Sequence, residues 1–275
     1  MTATAPTSDN RPMSTDAAGH APAAASGHAL VAEHTVYACV MGSRAFGLAT
    51  ESSDTDRRGV YLAPTALFWR FEKPPTHVDG PREEELSWEL ERFCELALRA
   101  NPNILECLHS PLVERVDTTG RELLALRDAF LSRHVHRTFA GYAAGQLKQL
   151  RADVRQRGAP RWKHAMHLLR LLASSRDLLR TGVLTPDVGR AREELLAVKR
   201  GEVPWDTVER RMARLSEEAE ASVSRSPLPA EPDRARVADF LFRARRGSAL
   251  GWEPGAGELS RGPGPGAWSG DWPGT

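Results

Sequence analysis

The chain has little cysteine, almost no net charge and no long apolar run, and each lack excludes something. Three cysteines in 275 residues (Cys39, Cys94 and Cys107) lie far apart, each in an apolar stretch, with no Cys-x-x-Cys pair among them. An odd number of dispersed thiols excludes a disulfide framework and fits buried thiols in a reducing compartment. The formal net charge is +1, so no global field draws the protein to nucleic acid or membrane, and any basic surface must be local. No apolar segment reaches the about 18 residues that a membrane span requires. The opening stretch has no apolar core behind a basic start, so no secretory signal is expected, and the expected location is cytoplasmic. Large apolar side chains are also scarce in the opening stretch, though the closing one carries Trp252, Trp268 and Trp272. Residues 1–33 are mostly Ala, Thr, Ser and Pro, too little apolar surface to offset the entropy of ordering, so disorder is expected there. Residues 247–275 are Gly/Pro-rich and aperiodic and read the same way. Roughly 210 residues remain for a folded core, enough for one compact domain or two small ones.

What is present divides by pattern. Thr35-Val36-Tyr37-Ala38-Cys39-Val40-Met41 is a β-branched and apolar run cut off by Gly42, and Arg58 to Ala63 is a second run stopped by Pro64. Both read as strands. From Ser87 to Ala100 the period becomes helical through Leu90, Phe93, Cys94, Ala97 and Leu98, with Ser87 as the expected N-cap and Asn101-Pro102 as the stop. From Thr119 onward the chain reads as helices over 119–132, 134–154, 161–181, 189–200, 205–223 and 232–246, with Gly or Pro at most of the breaks. The expected fold class is therefore α+β: a small mixed-sheet unit over 34–115 followed by a helical unit over 116–246.

One stretch carries chemistry: Met41-Gly42-Ser43-Arg44-Ala45-Phe46-Gly47, then a spacer, then Asp54-Thr55-Asp56-Arg57-Arg58. A strand that ends in Gly-Ser and turns into a short helix presents free backbone N–H groups, which bind phosphate oxygens, and Ser43 adds a hydroxyl. Gly42 has no Cβ, so a triphosphate can approach the backbone closely. Asp54 and Asp56, at i and i+2 of an expected strand, point to one face about 6.5–7 Å apart. Hard oxygen ligands so placed suit Mg²⁺ or Mn²⁺ bridging to phosphate oxygens. Gly-Ser alone is usually a turn, and Asp-x-Asp alone is usually a solvated loop. The pair, eleven positions apart and each beside a strand, is far more specific.

This pattern resembles the signature of the polymerase-beta-like nucleotidyltransferase superfamily. The blocks GSRAFGLATESSDTDRRGVYLAP, SWELERFCELALRANPNILECLHSP, RWKHAMHLLRLL and LLAVKRGEVPWDTV resemble the subfamily of predicted nucleotidyltransferases associated with RNA ligase and RNA repair. That likeness covers about residues 34–246. It implies a palm-type sheet, transfer of a nucleoside monophosphate from an NTP, and RNA or another acceptor. It also implies an RNA ligase or repair complex as partner. A third carboxylate is normal in this superfamily. Here Glu83-Glu84-Glu85 supplies the candidates, Glu84 favoured and Glu85 second.

In the helical half, Lys163, His167, Arg170 and Ser174 recur at i, i+4, i+7 and i+11 and so share a polar helix face. Together with Gly42, Ser43 and Arg44, the residues Lys163, His167 and Arg170 form the expected nucleotide-binding set. Glu106, amid Ile104, Leu105, Cys107 and Leu108, reads as a buried structural carboxylate with an Arg or Lys partner. Of Arg57 and Arg58, one is expected near the carboxylates and the other at the surface. The competing function is a non-catalytic nucleotide- or RNA-binding component of a repair or antitoxin-like complex. Two metal carboxylates beside a phosphate turn favour the enzyme, because binding alone does not need them.

Overall fold

The computed structural model describes residues 23–251. Chain order is α1 (Ala23–His34), β1 (Thr35–Met41), α2 (Gly42–Ala45), β2 (Asp56–Tyr61), β3 (His77–Asp79), β4 (Glu85–Glu89), α3 (Leu90–Leu98), α4 (Pro102–Leu108) and β5 (Val113–Val116). There follow α5 (Thr118–Ala125), α6 (His134–Arg157), α7 (Trp162–Thr181), α8 (Arg192–Lys199), α9 (Trp205–Ser222) and α10 (Arg234–Leu250). The five strands form one mixed sheet in the order β3-β4-β2-β1-β5. β1 is antiparallel to both β2 and β5, and β4 runs parallel to β2.

The sheet exists because β1 is apolar nearly throughout and can be buried on both faces. Six of its seven residues are buried, as a central strand requires. The expected strands at 36–41 and 58–62 are neighbours here, with Met41 opposite Asp56. Ser87 lies inside β4, where it pairs with Gly59. The N-cap of α3 is Glu89, whose carboxylate accepts the N–H of Glu91 at 2.8 Å. Sheet pairing overrode the helical period there. Asn101 caps a new helix, accepting the N–H of Ile104 with Pro102 at the first helical position, a placement suited to proline's fixed φ.

The helical half follows the sequence periods closely, but it does not have a core of its own. One hydrophobic cluster runs from β1 through α3 and α4 into α6, α7 and α9. α10 returns to the sheet half, where Arg245 reaches the Glu89 carboxylate at 2.9 Å and stacks 4.0 Å from the Phe68 ring centroid. Expected disorder over 1–33 is corrected for residues 23–33, which belong to α1. This Ala-rich stretch has high helix propensity, and the helix docks where Gly27 lies close against Val78. At the other end α10 continues to Leu250. Residues 1–22 and 252–275 lie outside the described residues.

Candidate active site

The turn after β1 brings the two halves of the motif together. Gly42 has φ +66°, and a Cβ there would sit 1.6 Å from Asp56 Oδ2. Any other residue would therefore clash with the carboxylate and strain the backbone. The space that glycine leaves is filled by Asp56, a use of Gly42 that its position in the sequence does not reveal. Asp56 opens β2. Asp54 precedes the strand and is exposed, so its placement is set by the loop and not by strand alternation. Arg44 holds that loop, donating to the carbonyls of Asp54 at 3.3 Å and Ser53 at 3.1 Å. Its guanidinium is thus engaged with the Asp54 loop.

Glu84 reaches the same place by strand register. β2 and β4 are parallel with Arg57 opposite Glu85, and Arg57 N–H donates to the Glu84 carbonyl at 2.9 Å. One residue back along both strands, Glu84 stands beside Asp56 and shares its face of the sheet. Glu85 takes the other face and packs on Gly80. Glu84 holds φ +60°, a conformation that costs a non-glycine residue on the order of 1 kcal/mol or more and gathers at functional sites. Arg58 lies between the two acids, its Nη2 3.8 Å from Asp56 Oδ1 and 3.8 Å from Glu84 Oε2. Arg57 instead pairs with Glu114 on β5 at 3.1 Å.

Burial raises the Asp56 pKa above its ordinary value, and Glu84 raises it further. The chemistry of this donor set suits a divalent cation. Among the described residues no three His, Cys, Asp or Glu side chains close into a ready-made metal cage. Mg²⁺ does not need one, since it commonly takes one or two carboxylates and fills its shell with water and substrate phosphates. The like-charge crowding at Asp56 is what such a cation would relieve.

The turn after β1 is gripped from the helical half. Arg192 donates to the carbonyls of Gly47 and, at 2.9 Å, Ala49. Val188 N–H donates to the Phe46 carbonyl at 3.1 Å, and the Arg170 guanidinium stacks 3.6 Å from the Phe46 ring centroid. Nothing in the local sequence marks Arg192 for this role, because its partners are backbone carbonyls more than 140 positions away.

A cavity of about 390 Å³ opens beside Gly42, bounded by Arg58 and β4 on one side and by α4, α6 and α7 on the other. Of the expected basic stripe, His167 and Arg170 line it and Lys163 does not; His164 does instead. Lys163 is exposed. Arg170 is not a free cation. It is 7% exposed and makes two hydrogen bonds, 2.6 and 3.2 Å, to Glu106, which is 1% exposed. The expectation that Arg170 belongs to a free basic stripe for nucleotide is therefore corrected: an ion pair with Glu106 fills that part of the helix face.

His167 is neutral near pH 7, its pKa pushed down to about 4 by burial and then by the charges of Arg170 and Lys163. His109 is likewise pushed to about 4, mainly by burial. In the unfolded chain both titrate near 6.5. Between pH 6.5 and 4 the unfolded state binds more protons, so stability falls as pH falls through that window. His167 alone should account for on the order of 2 kcal/mol lost between pH 7.5 and 5. Thermal melts across that range should show a shallower dependence in His167→Gln than in the parent.

Comparison with known proteins places the chain in a family. Residues 21–243 match the RNA repair pathway DNA polymerase beta family. A 96-residue stretch is 33% identical to an uncharacterized protein, YcgL, of Bacillus subtilis (strain 168), covering 34% of this chain and 37% of that protein. The chain thus spans little over a third of the length of that curated relative. No solved structure matches the chain.

Proposed function

Since the chain belongs to the RNA repair pathway DNA polymerase beta family, we propose that it is a metal-dependent nucleotidyltransferase. It moves a nucleoside monophosphate from an NTP to an acceptor and releases pyrophosphate. The observation that supports this reading is the close approach of Gly42 to Asp56, which sets the Gly42-Ser43 turn against a carboxylate. Gly42 and Ser43 bind phosphate oxygens. Asp54, Asp56 and Glu84 hold Mg²⁺ or Mn²⁺, with Glu84 set beside Asp56 by the parallel register. When bound, the metal stabilises charge on the reacting phosphate oxygens.

The remaining contributions come from the chain itself. Arg44 fixes the Asp54 loop, and Arg58 tempers the repulsion between Asp56 and Glu84. Arg192 and Arg170 hold the far end of the phosphate turn, so that the N–H donors are ordered before substrate arrives. The acceptor is an RNA end in the family's repair context, acting alongside an RNA ligase or another repair component.

The test is label transfer. Purified protein is incubated with each α-labelled NTP, Mg²⁺ or Mn²⁺, and pooled RNA, DNA and protein acceptors. Label is expected on RNA only when metal is present. NTP binding with no metal dependence and no labelled product would return the chain to the role of a nucleotide-binding partner.

A further inference from the structure

The cavity beside Gly42 is lined by none of Asp54, Asp56 and Glu84, and at about 390 Å³ it is within the range of small-molecule sites. Its walls are of two kinds. Met41, Phe46, Leu86, Trp88 and Leu171 offer apolar faces, whereas Asn103, Tyr142, Gln146 and His164 bring polar tips to it. Packing does not account for the second group. Tyr142 and Gln146 are one turn apart on α6, on the side that carries Phe139, Ala143 and Leu150 into the core. A helix that only packed would place apolar residues there. Tyr142 remains 46% exposed. The side chains of Asn103, Tyr142, Gln146 and His164 form no hydrogen bond among the described residues.

The full charges at this cavity are already committed. Arg170 and Glu106 pair with each other. Arg58 donates to the carbonyls of Arg57 and Glu84 and lies against the two carboxylates. An apolar slot edged with amides and lacking a free charge suits a flat, neutral heterocycle better than a sugar or a second phosphate. Among nucleobases, Asn and Gln pair bidentately with adenine, whereas guanine is read chiefly by a cation on O6 and N7. We propose that this cavity holds the base of the nucleoside triphosphate and selects adenine over guanine. Asn103 and Gln146 read the base edge, and Trp88 and Tyr142 cover its faces. The assignment rests on the nucleotidyltransferase reading above and adds to it a named nucleotide.

The experiment is equilibrium binding with Mg²⁺, comparing ATP, GTP, CTP, UTP and inorganic tripolyphosphate on the full chain. ATP is expected to bind at least about tenfold more tightly than GTP. Asn103→Ala and Gln146→Ala are each expected to lower that ratio by about tenfold, with tripolyphosphate affinity and melting temperature unchanged. Tyr142→Ala is expected to weaken all four nucleotides relative to tripolyphosphate. Equal binding of ATP and GTP by the parent, or a ratio that neither amide variant moves, overturns the base site. If tripolyphosphate still binds in that case, the nucleotidyltransferase reading stands. If neither tripolyphosphate nor any nucleotide binds, both fall.

Discussion

Asp56→Asn is expected to lower nucleotidyl transfer at least about a thousandfold, roughly 4 kcal/mol of transition-state stabilisation, and Asp54→Asn to do the same. Asparagine keeps the size and shape of aspartate, so Gly42 remains in contact with the side chain and the turn keeps its form. What is lost is the charge that a divalent cation needs. The structure adds a second signature at position 56. Burial and Glu84 both disfavour the ionised form of Asp56, so removing its charge should leave the melting temperature unchanged or slightly raised. A large loss of rate in a protein no less stable than its parent distinguishes a site residue from a structural one. Ser43→Ala should be milder, about tenfold, because the hydroxyl goes and the backbone donors stay. Transfer rate against Mg²⁺ concentration checks all three variants. Full transfer by an Asp54→Asn, Asp56→Asn double variant would sink the metal site and leave a binding module.

Much of this site was legible from local pattern. The β1 run, the Gly-Ser break and the Asp-x-Asp spacing all lie between Thr35 and Asp56, and sheet pairing of Met41 with Asp56 brings them together. The helices from 118 onward were equally legible, because period and Gly/Pro breaks both act over short range. Glu84 was reachable only as a favoured member of a triplet. What separates it from Glu85 is the parallel register with β2, a pairing between residues 28 positions apart, such as Arg57 with Glu85.

The illegible parts share a cause. β3 and β5 are short edge strands of three and four residues, with too few residues to show a period, and they exist because neighbouring strands offer them partners. The stop expected at Asn101-Pro102 is also the start of α4, since the same residues that end one helix cap the next. Ala23–His34 has only Leu30 and Val31 as large apolar residues, yet it forms α1 against β2 and β3, where Gly27 lets the helix approach Val78 closely. In the helical half the polar stripe was read correctly as one face, but its surroundings were not. Solvent, cavity and buried partner look alike in a sequence, and the three residues Lys163, His167 and Arg170 meet one of each.

Arg170→Ala is accordingly expected to destabilise the protein by about 3–5 kcal/mol, lowering the melting temperature by roughly 10 °C for a chain of this size. The alanine leaves Glu106 as an unpaired carboxylate at 1% exposure, and the desolvation cost of that charge exceeds any packing gained. It also removes the guanidinium that stacks on Phe46, so the turn that carries Gly42 and Ser43 loses one of its supports. Glu106→Gln should cost less, since the amide still accepts from Arg170 while placing one partial mismatch in the pair. The discriminating variant replaces both partners. Arg170→Met with Glu106→Leu fills similar volume with apolar atoms and should recover most of the stability lost by Arg170→Ala, because an ion pair taken out whole leaves no orphan charge. Thermal denaturation of Arg170→Met, Glu106→Leu and the double variant forms the cycle. If Arg170→Ala melts within a degree or two of the parent, Glu106 is not held by that pair, and Arg170 returns to being a cation free to meet phosphate. If the cycle closes as expected, the pair is a strut between α4 and α7. Nucleotide binding in the stable double variant then measures what stacking on Phe46 contributes to the phosphate turn.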